Sequence, residues 1–271
     1  MPIQQENRLF LGNPGTGKST LINCLTGRAT FTSGLKFGGG LTQFFQKQIY
    51  NSVVYIDTPG LADRSIQRQA AEAITAALRE SGRYKIFFMV RLKGGRVMSE
   101  DLATIEAVLD TVQVNDVYFS VIVNNVQKRQ YATLMKKGPE YAKVVTIINS
   151  MKYTTPHIAF IPTIPELEEA DNAFTTLPSG IVNFIENYAP SVVIPTHSIQ
   201  RIDFSRFKKT EKELRNQINE LETDNAALNR RMGKLKKKHR FFRNLGNFAV
   251  DVLAVTAFVV LSPFILIAEH L

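Results

Sequence analysis

The stretch Gly12-Asn13-Pro14-Gly15-Thr16-Gly17-Lys18-Ser19 decides how this chain can fold. It matches the pattern G-x-x-x-x-G-K-[ST] of a phosphate-binding loop at every fixed position. A short apolar run, 8–11, precedes it and can form a buried strand, and residues 19–25 after it place apolar side chains at helical spacing. Strand, glycine-rich turn and helix form the context that the motif requires, which disfavours an accidental glycine turn.

The parts of this loop predict contacts with a nucleoside triphosphate and Mg²⁺. Glycines let successive backbone N–H groups point into one concavity, and the helix N-terminus adds a partial positive charge. Lys18 would reach the β- and γ-phosphates, and Ser19 would supply a hydroxyl to Mg²⁺. The predicted nucleotide contacts of the loop are Asn13, Pro14, Gly15, Thr16, Gly17, Lys18, Ser19 and Thr20.

Length and charge limit the class of protein. The chain has 271 residues, enough for one full α/β domain plus an appendage. Its single cysteine, Cys24, excludes an internal disulfide framework and fits a reducing compartment, and no secretory signal is visible before the loop. Residues 203–243 hold 13 of the 33 Lys/Arg but only 6 of the 24 Asp/Glu, so most of the net charge of +9 belongs to them. The overall charge therefore does not indicate a nucleic-acid-binding domain, and no nucleic-acid partner is expected.

Residues 1–190 alternate strand-like and helix-like runs. This alternation predicts an α/β domain of the P-loop NTPase type, with three layers and a mostly parallel sheet. The predicted strands are 8–12, 44–50, 52–56, 84–92, 117–124 and 157–161; the predicted helices are 18–27, 66–80, one capped by Ser99, 140–150 and 178–188. Residues 191–202, next to Pro190 and containing Pro195, are predicted to be a linker.

A second motif, Asp57-Thr58-Pro59-Gly60, follows the compact strand 52–56. Asp57 can hold a Mg²⁺-bound water, and the Gly60 backbone N–H can contact a γ-phosphate. Between the two motifs, Thr42 stands just before an edge strand, where it could close over Mg²⁺ and the γ-phosphate. We therefore assign Lys18, Thr42 and Gly60 to catalysis and Ser19, Thr42 and Asp57 to the metal. Thr30, Thr32 and Ser33 are alternatives to Thr42.

Together these motifs resemble those of the translation-factor-like class of GTPases. Gly-x-x-x-x-Gly-Lys-Ser-Thr-Leu-Ile-Asn, then Thr42, then Asp57-Thr-Pro-Gly-Leu is most similar to the immune-associated nucleotide-binding (GIMAP-like) GTPases, the chloroplast outer-envelope import receptors and the septins. The specific motifs cover about residues 6–125. The resemblance implies a G domain that binds GTP or GDP with Mg²⁺, hydrolyses GTP slowly as a switch, assembles through that domain and is often attached to a membrane.

Two positions depart from the pattern of this class. Aligning Asn124 with the Asn of Asn-Lys-x-Asp puts Gln127 where the guanine-reading Asp should stand. A neutral amide oxygen cannot reproduce the charged bidentate contact, so GTP is favoured while ATP or mixed selectivity stays open. The predicted base contacts are Asn124, Asn125 and Gln127. After Gly60 the chain has Leu61, which cannot orient a water, so intrinsic hydrolysis should be slow unless another group helps. Arg28 and Arg64 are weaker candidates for that help.

Residues 203–243 form a basic segment with heptad spacing. The d positions of the heptads are Phe207, Leu214, Leu221, Leu228 and Leu235, and Asn225 is at an a position. Leu at d with one Asn at a is typical of parallel two-stranded coiled coils. The coiled coil is favoured over a single amphipathic helix that folds back on the globular domain, because the apolar seam is narrow.

Residues 244–271 predict a C-terminal membrane anchor. The run 248–268 is apolar except at four positions, and about 20 apolar residues span a bilayer. The basic residues before it would keep that side in the cytosol, and they suit anionic lipid better than nucleic acid. The alternative is a hydrophobic helix that packs on another protein or lies along the membrane surface.

The sequence thus favours a tail-anchored, dimeric, slowly hydrolysing GTPase on the cytosolic face of an intracellular membrane. It would control assembly or the recruitment of a partner. The competing hypothesis is a nucleotide-binding scaffold with little or no hydrolysis and relaxed base selectivity, which Leu61 and Gln127 both support.

Overall fold

A computed structural model describes residues 5–34, 44–63, 65–114 and 117–243, with backbone alone for 225, 228–229 and 231–243. The chain divides into two compact units, Met1–Ile218 and Asn219–Leu271. The first unit contains every strand of the described residues, together with the phosphate-loop motif.

The first unit is built on an eight-stranded sheet. Its strands are β1 (Glu6–Leu11), β2 (Gln46–Tyr50), β3 (Val53–Asp57), β4 (Arg83–Lys93), β5 (Arg96–Val97), β6 (Ser120–Val126), β7 (Ile158–Pro162) and β8 (Val192–Val193). The main order is β2-β3-β1-β4-β6-β7, and β5 and β8 both pair with β4. The five strands from β3 to β7 along this path run parallel, while β2, β5 and β8 are antiparallel to their neighbours. The prediction of a mostly parallel sheet is confirmed.

Helices connect these strands. They are α1 (Lys18–Thr26), α2 (Gln67–Leu78), α3 (Ser99–Leu109), α4 (Lys128–Leu134), α5 (Pro139–Ile148), α6 (Ser179–Asn183, continued by a π-helical turn Phe184–Tyr188) and α7 (Phe207–Arg243). Short α4 was predicted only as a polar segment. Ser99 is the first residue of α3 and the cap position is Met98, so Ser99 does not cap that helix.

The β4–β5 hairpin was also not predicted. Gly94 and Gly95 form its turn with φ angles of 59° and 82°. Only glycine adopts two such conformations in succession at little cost, and paired glycines between strands are a known hairpin signal.

Burial of both faces of the sheet explains the continuous apolar strands. In β4, every residue from Tyr84 to Val90 is buried, which in a strand requires cover on both sides. On one face Phe10 stacks on Phe87, with ring centroids 5.0 Å apart, and both pack against Ile22 of α1 and Ile185 of the α6 continuation. The strand ends are thereby fixed in place at one edge of a rigid sheet.

Residues 191–202 are not a linker. Tyr84 and Val192 pair within the β4–β8 ladder, and Ile199 bridges to Val112. Arg79 donates from its guanidinium to the carbonyl of Ile199 at 2.8 Å. The four apolar residues Val192, Ile194, Ile199 and Ile202 are all buried. Although Pro190 and Pro195 lie in or next to it, the segment is packed on the first unit.

The first turns of α7 belong to the first unit. Phe207, Leu214 and Ile218, which were predicted to lie on the seam of a coiled coil, are 5%, 3% and 5% exposed within this one chain. The foldback alternative therefore describes residues 207–218. The predicted coiled coil would therefore involve the seam positions that follow Ile218. The continuous helix Phe207–Arg243 agrees with the predicted helical segment, whereas its pairing with a second chain stays a prediction.

The predicted membrane anchor, 244–271, lies outside the described residues. Within residues 5–243 as described, no helix combines the length and apolarity needed to cross a bilayer.

Candidate nucleotide-binding site

The phosphate loop joins β1 to α1 at the carboxyl edge of the sheet. Gly12, Gly15 and Gly17 have φ angles of 146°, 74° and 87°. A Cβ on Gly12 would lie 2.7 Å from the carbonyl oxygen of Met89, and one on Gly17 would lie 2.3 Å from the side-chain nitrogen of Asn124. Both glycines are therefore required by conformation and by space, because a side chain would push the loop away from the neighbouring strands.

Lys18 lies inside the loop that it was predicted to serve. Its ammonium donates to the carbonyls of Gly12 at 2.9 Å and Asn13 at 3.3 Å, and the residue is 7% exposed. Burial lowers the pKa of this ammonium, while the carboxylates of Asp57 and Asp101 act in the opposite direction. The charge is thus held beside the concavity where phosphate oxygens would bind.

Ser19 and Asp57 come together from α1 and the end of β3. The Ser19 hydroxyl donates to Asp57 Oδ2 at 2.5 Å, and Asp57 is fully buried. A hydroxyl beside a carboxylate, next to a phosphate loop, is an oxygen donor set that suits Mg²⁺. The chemistry of these two residues therefore fits the ion, and Ser19 would be a direct ligand while Asp57 would hold a bound water.

The Asp57-Thr-Pro-Gly turn packs directly on the phosphate loop. Thr58 donates to the carbonyl of Phe10 at 2.9 Å, and a Cβ on Gly60 would lie 2.3 Å from Pro14 Cδ. The next residue, Leu61, is completely buried. Gly60 thus lies against the phosphate loop, its contact with a γ-phosphate stays a prediction, and the buried Leu61 side chain presents no polar group there.

The base-binding side is formed by the end of β6. Asn124 donates to the carbonyl of Thr16 at 2.9 Å, so it ties β6 to the phosphate loop. Asn125 is exposed with a φ of 54°, and Gln127 is exposed at the N-cap of α4. Asn124 therefore lies at the phosphate loop, while the contact of Asn125 and Gln127 with a base stays a prediction.

The remaining predicted residues have different outcomes. Thr42 and Arg64 lie outside the described residues. Thr30 donates its backbone N–H to Asn23 Oδ1 at 2.9 Å, and Ser33 donates its backbone N–H to Asn172 Oδ1 and accepts from the backbone N–H of Asn172, both at 2.8 Å. Arg28 lies over the ring of Tyr50, 5.0 Å from its centroid. The segment before Thr42 is thus anchored to α1 and to residue 172.

Asn13 differs from its prediction. It was expected to contact nucleotide, but its side-chain amide turns away from the phosphate concavity and is fully buried. It donates to the carbonyl of Glu100 at 2.9 Å and to Asp101 Oδ1 at 2.8 Å, and it accepts from Thr104 and from the backbone of Ala62. Only the backbone of Asn13 is left to face phosphate.

Sequence reasoning also missed the partners of Asn13 on α3 and the Arg91 of β4 that holds them. Arg91 donates to both carboxylate oxygens of Asp101, at 3.1 and 2.8 Å, and to the carbonyl of Pro14 at 3.3 Å, and it pairs with Glu100. Two acidic residues in the first turn of a helix have a sufficient local explanation in the helix dipole. Nothing in the sequence alone indicated that they also hold the phosphate loop.

A domain with this fold and this phosphate site is a P-loop GTPase domain. Residues 7–149 match the family described as 50S ribosome-binding GTPase, and the chain belongs to this family. Among proteins of curated function, none matches the chain.

Several solved structures are similar in fold. Aquifex aeolicus Era bound to GDP·AlF4⁻ is 21% identical, with a TM-score of 0.45, over 74% of this chain and 63% of the Era chain. Arabidopsis thaliana Toc33 with GDP and Mg²⁺ is 18% identical, with a TM-score of 0.43, over 70% and 88%. S. thermophilus NFeoB with GDP·AlF4⁻ and K⁺ is 12% identical, with a TM-score of 0.41, over 82% and 91%. The chain thus spans less than two thirds of the length of that Era chain.

Proposed function

We propose that this GTPase domain is a slow switch, tethered to a membrane and paired through α7, that controls assembly or the recruitment of a partner. The observation that carries the proposal is Leu61. Its complete burial leaves the site with the groups that bind a triphosphate but without a side chain to orient water at this position. Such a site favours long-lived occupancy over fast turnover.

The residues of the chain have separable roles in this proposal. Lys18, already held inside the loop, would exchange its carbonyl partners for phosphate oxygens. The Gly60 N–H would contact the γ-phosphate, and Asn124 would keep the base-binding strand against the loop. Mg²⁺, when bound near Ser19 and Asp57, would neutralise charge on the phosphate oxygens. Loss of the γ-phosphate would remove the Gly60 contact, which is the switching step.

Base selectivity is the weakest part of the site. Gln127 is exposed at the position of the guanine-reading Asp, and its amide is neutral. Membership of a GTPase family supports guanine, and we propose GTP and GDP as the physiological nucleotides.

The tether and the pairing rest on the sequence pattern. Leu221, Asn225, Leu228, Met232 and Leu235 continue the heptad seam beyond the first unit, and the basic and apolar runs follow. We propose a homodimer with anionic lipid as the second partner.

Nucleotide binding and turnover of the full chain in detergent test the core of the proposal. We expect GTP and GDP to bind in the presence of Mg²⁺ and GTP to be hydrolysed slowly. Absence of binding for both guanine and adenine nucleotides would contradict the proposal. Turnover that stays at the uncatalysed level at high protein concentration, with and without vesicles, would favour the scaffold hypothesis.

Vesicle flotation tests the tether. At a salt concentration of about 1 M, which screens the attraction of the basic residues before 244 to lipid, the full chain should float with phospholipid vesicles and a variant without residues 244–271 should stay in the soluble fraction. Flotation of the shortened chain would refute the anchor.

A further inference from the structure

The strongest observation that the proposed function does not use is the amide of Asn13. This side chain is fully buried and makes four hydrogen bonds, which is the complete capacity of a primary amide. A buried polar group with every bond satisfied fixes a single arrangement of its neighbours, since losing one partner leaves a buried polar atom unpaired.

The orientation of the amide follows from its partners. The Glu100 carbonyl and the Asp101 carboxylate can only accept, and both face the Asn13 nitrogen. The backbone N–H of Ala62 can only donate, at 3.1 Å, and it faces the Asn13 oxygen together with the Thr104 hydroxyl at 2.8 Å. If the amide were flipped, its oxygen would face the two acceptors on Glu100 and Asp101, and its nitrogen would face the N–H donor of Ala62.

These four contacts join three parts of the site. Asn13 belongs to the phosphate loop, Ala62 follows the Asp57-Thr-Pro-Gly turn, and Thr104 lies on α3. Because Gly60 is two residues before Ala62 and touches Pro14, the bond to Ala62 holds the γ-phosphate-sensing turn against the loop.

We propose that Asn13 is a positioning residue that sets the preference of the site for triphosphate over diphosphate, by fixing the turn at Gly60 through Ala62. Thr104 takes part by donating to the same amide oxygen at 2.8 Å, with the carbonyl of Glu100 as a second acceptor at 3.0 Å, so α3 is the rigid support for this arrangement. The inference rests on the proposed GTP switch and names the residues that tune it.

Variants of one threonine within α3 and one just after it test this role. T104V removes the hydroxyl that supports Asn13 at nearly constant volume, and T104S keeps it. T111V is the matched control, because Thr111 is equally buried just after α3 and donates only to the local carbonyl of Val108 at 2.6 Å. N13A removes the whole amide and is the more severe variant.

The measurement is the ratio of the dissociation constants for GDP and a non-hydrolysable GTP analogue, with Mg²⁺, alongside the melting temperature. One net hydrogen bond corresponds to about a fivefold change in an equilibrium constant. We expect T104V and N13A to weaken binding of the GTP analogue about fivefold or more relative to binding of GDP. T104S and T111V should keep the wild-type ratio of the two dissociation constants.

A melting temperature that falls in T104V as in T111V, with an unchanged ratio, would mean that the network is merely structural and would overturn the inference. If N13A does not fold, T104V against T104S still decides the question. Wild-type protein that binds neither nucleotide would overturn the proposed function and this inference together, which separates that failure from failure of the variants alone.

Discussion

At the scale of single residues, the burial of Leu61 limits which changes could speed up GTP hydrolysis. The side chain is apolar and packed inside the domain, so it offers no group to orient an attacking water. A water-orienting group in this protein therefore has to come from another segment or from a partner subunit. Replacing Leu61 by Gln, the residue found in fast GTPases, should therefore not raise the rate of GTP hydrolysis.

We predict that L61Q lowers stability without raising turnover. An amide buried here without a partner costs about 1–3 kcal/mol. Thermal unfolding and phosphate release measure the two effects, and L61M is the control because it nearly conserves volume and polarity. A faster L61Q enzyme would show that residue 61 reaches the nucleotide after all.

Gln127 gives the second residue-scale prediction. In Q127D a carboxylate could accept two hydrogen bonds from guanine, and charged bidentate contacts of this kind are worth about 1–3 kcal/mol. The preference for GTP over ATP should rise about tenfold or more, measured by displacement of a labelled nucleotide. Q127N keeps a neutral amide and should leave the preference as it is. An equal ratio in Q127D and Q127N would place the base elsewhere.

His157 gives a pH dependence. Partial burial lowers the pKa of this imidazole below its usual value, so the folded state binds its proton less readily than the unfolded state. Stability should be complete above about pH 6.5 and fall as the pH drops below it. Melting temperatures between pH 8 and pH 5 should fall less steeply in H157Q. H197Q, which changes an exposed histidine, should follow the wild type, and identical slopes in all three proteins would contradict the assignment.

At the scale of elements, hydrogen bonds tie both ends of α3 to other parts of the first unit. Its first turns hold the phosphate loop through Asn13, and the residues just after it pair with the segment before α7: Gln113 donates to Ser198 and Gln200 donates to Thr111, at 2.8 and 2.9 Å. The first turns of α7 are then buried on the same unit. These helices therefore contribute to the stability of the nucleotide site even though they lie outside its motifs.

We predict that L214A destabilises the first unit by about 3 kcal/mol, the usual cost of a buried Leu→Ala change. K208A, an exposed change on the same helix, should be neutral. Thermal unfolding in the presence of excess nucleotide measures both. No shift in L214A would mean that these turns of α7 are not held on the domain in solution.

The elements that the sequence predicts well are those with one dominant local signal. The parallel strands are continuous apolar runs, and the loop, Asp57 and Asn124 follow from motif spacing. Residues 191–202 were misassigned because Pro190 and Pro195 were taken as the signal of a linker. The apolar residues between and after these prolines become buried only when the sheet is present. The partners of Asn13 were missed because they lie about ninety residues away in the chain, and no spacing rule links them.

At the scale of the whole molecule, one substitution can test nucleotide binding by the domain separately from the proposed pairing of α7. L221P introduces a helix breaker just beyond Ile218, where the first unit ends. We predict that nucleotide affinity is kept and that dimerisation is lost, measured by isothermal titration and by light scattering of the detergent-solubilised protein. E222A, at the next residue, is the control and should keep both properties. An unchanged mass for L221P would argue against the coiled coil.

The strand order also has a consequence for the making of this protein. β1 lies between β3 and β4, so Glu6 is in register with Val53 on one side and Arg83 on the other. Gly17 lies against Asn124, and Asn13 needs Thr104. The loop therefore reaches its final form only when more than a hundred residues that follow it have been synthesised. Until then a nascent chain carries the complete phosphate-loop motif without the neighbours that give it shape, and nucleotide cannot assist the earliest steps of its folding.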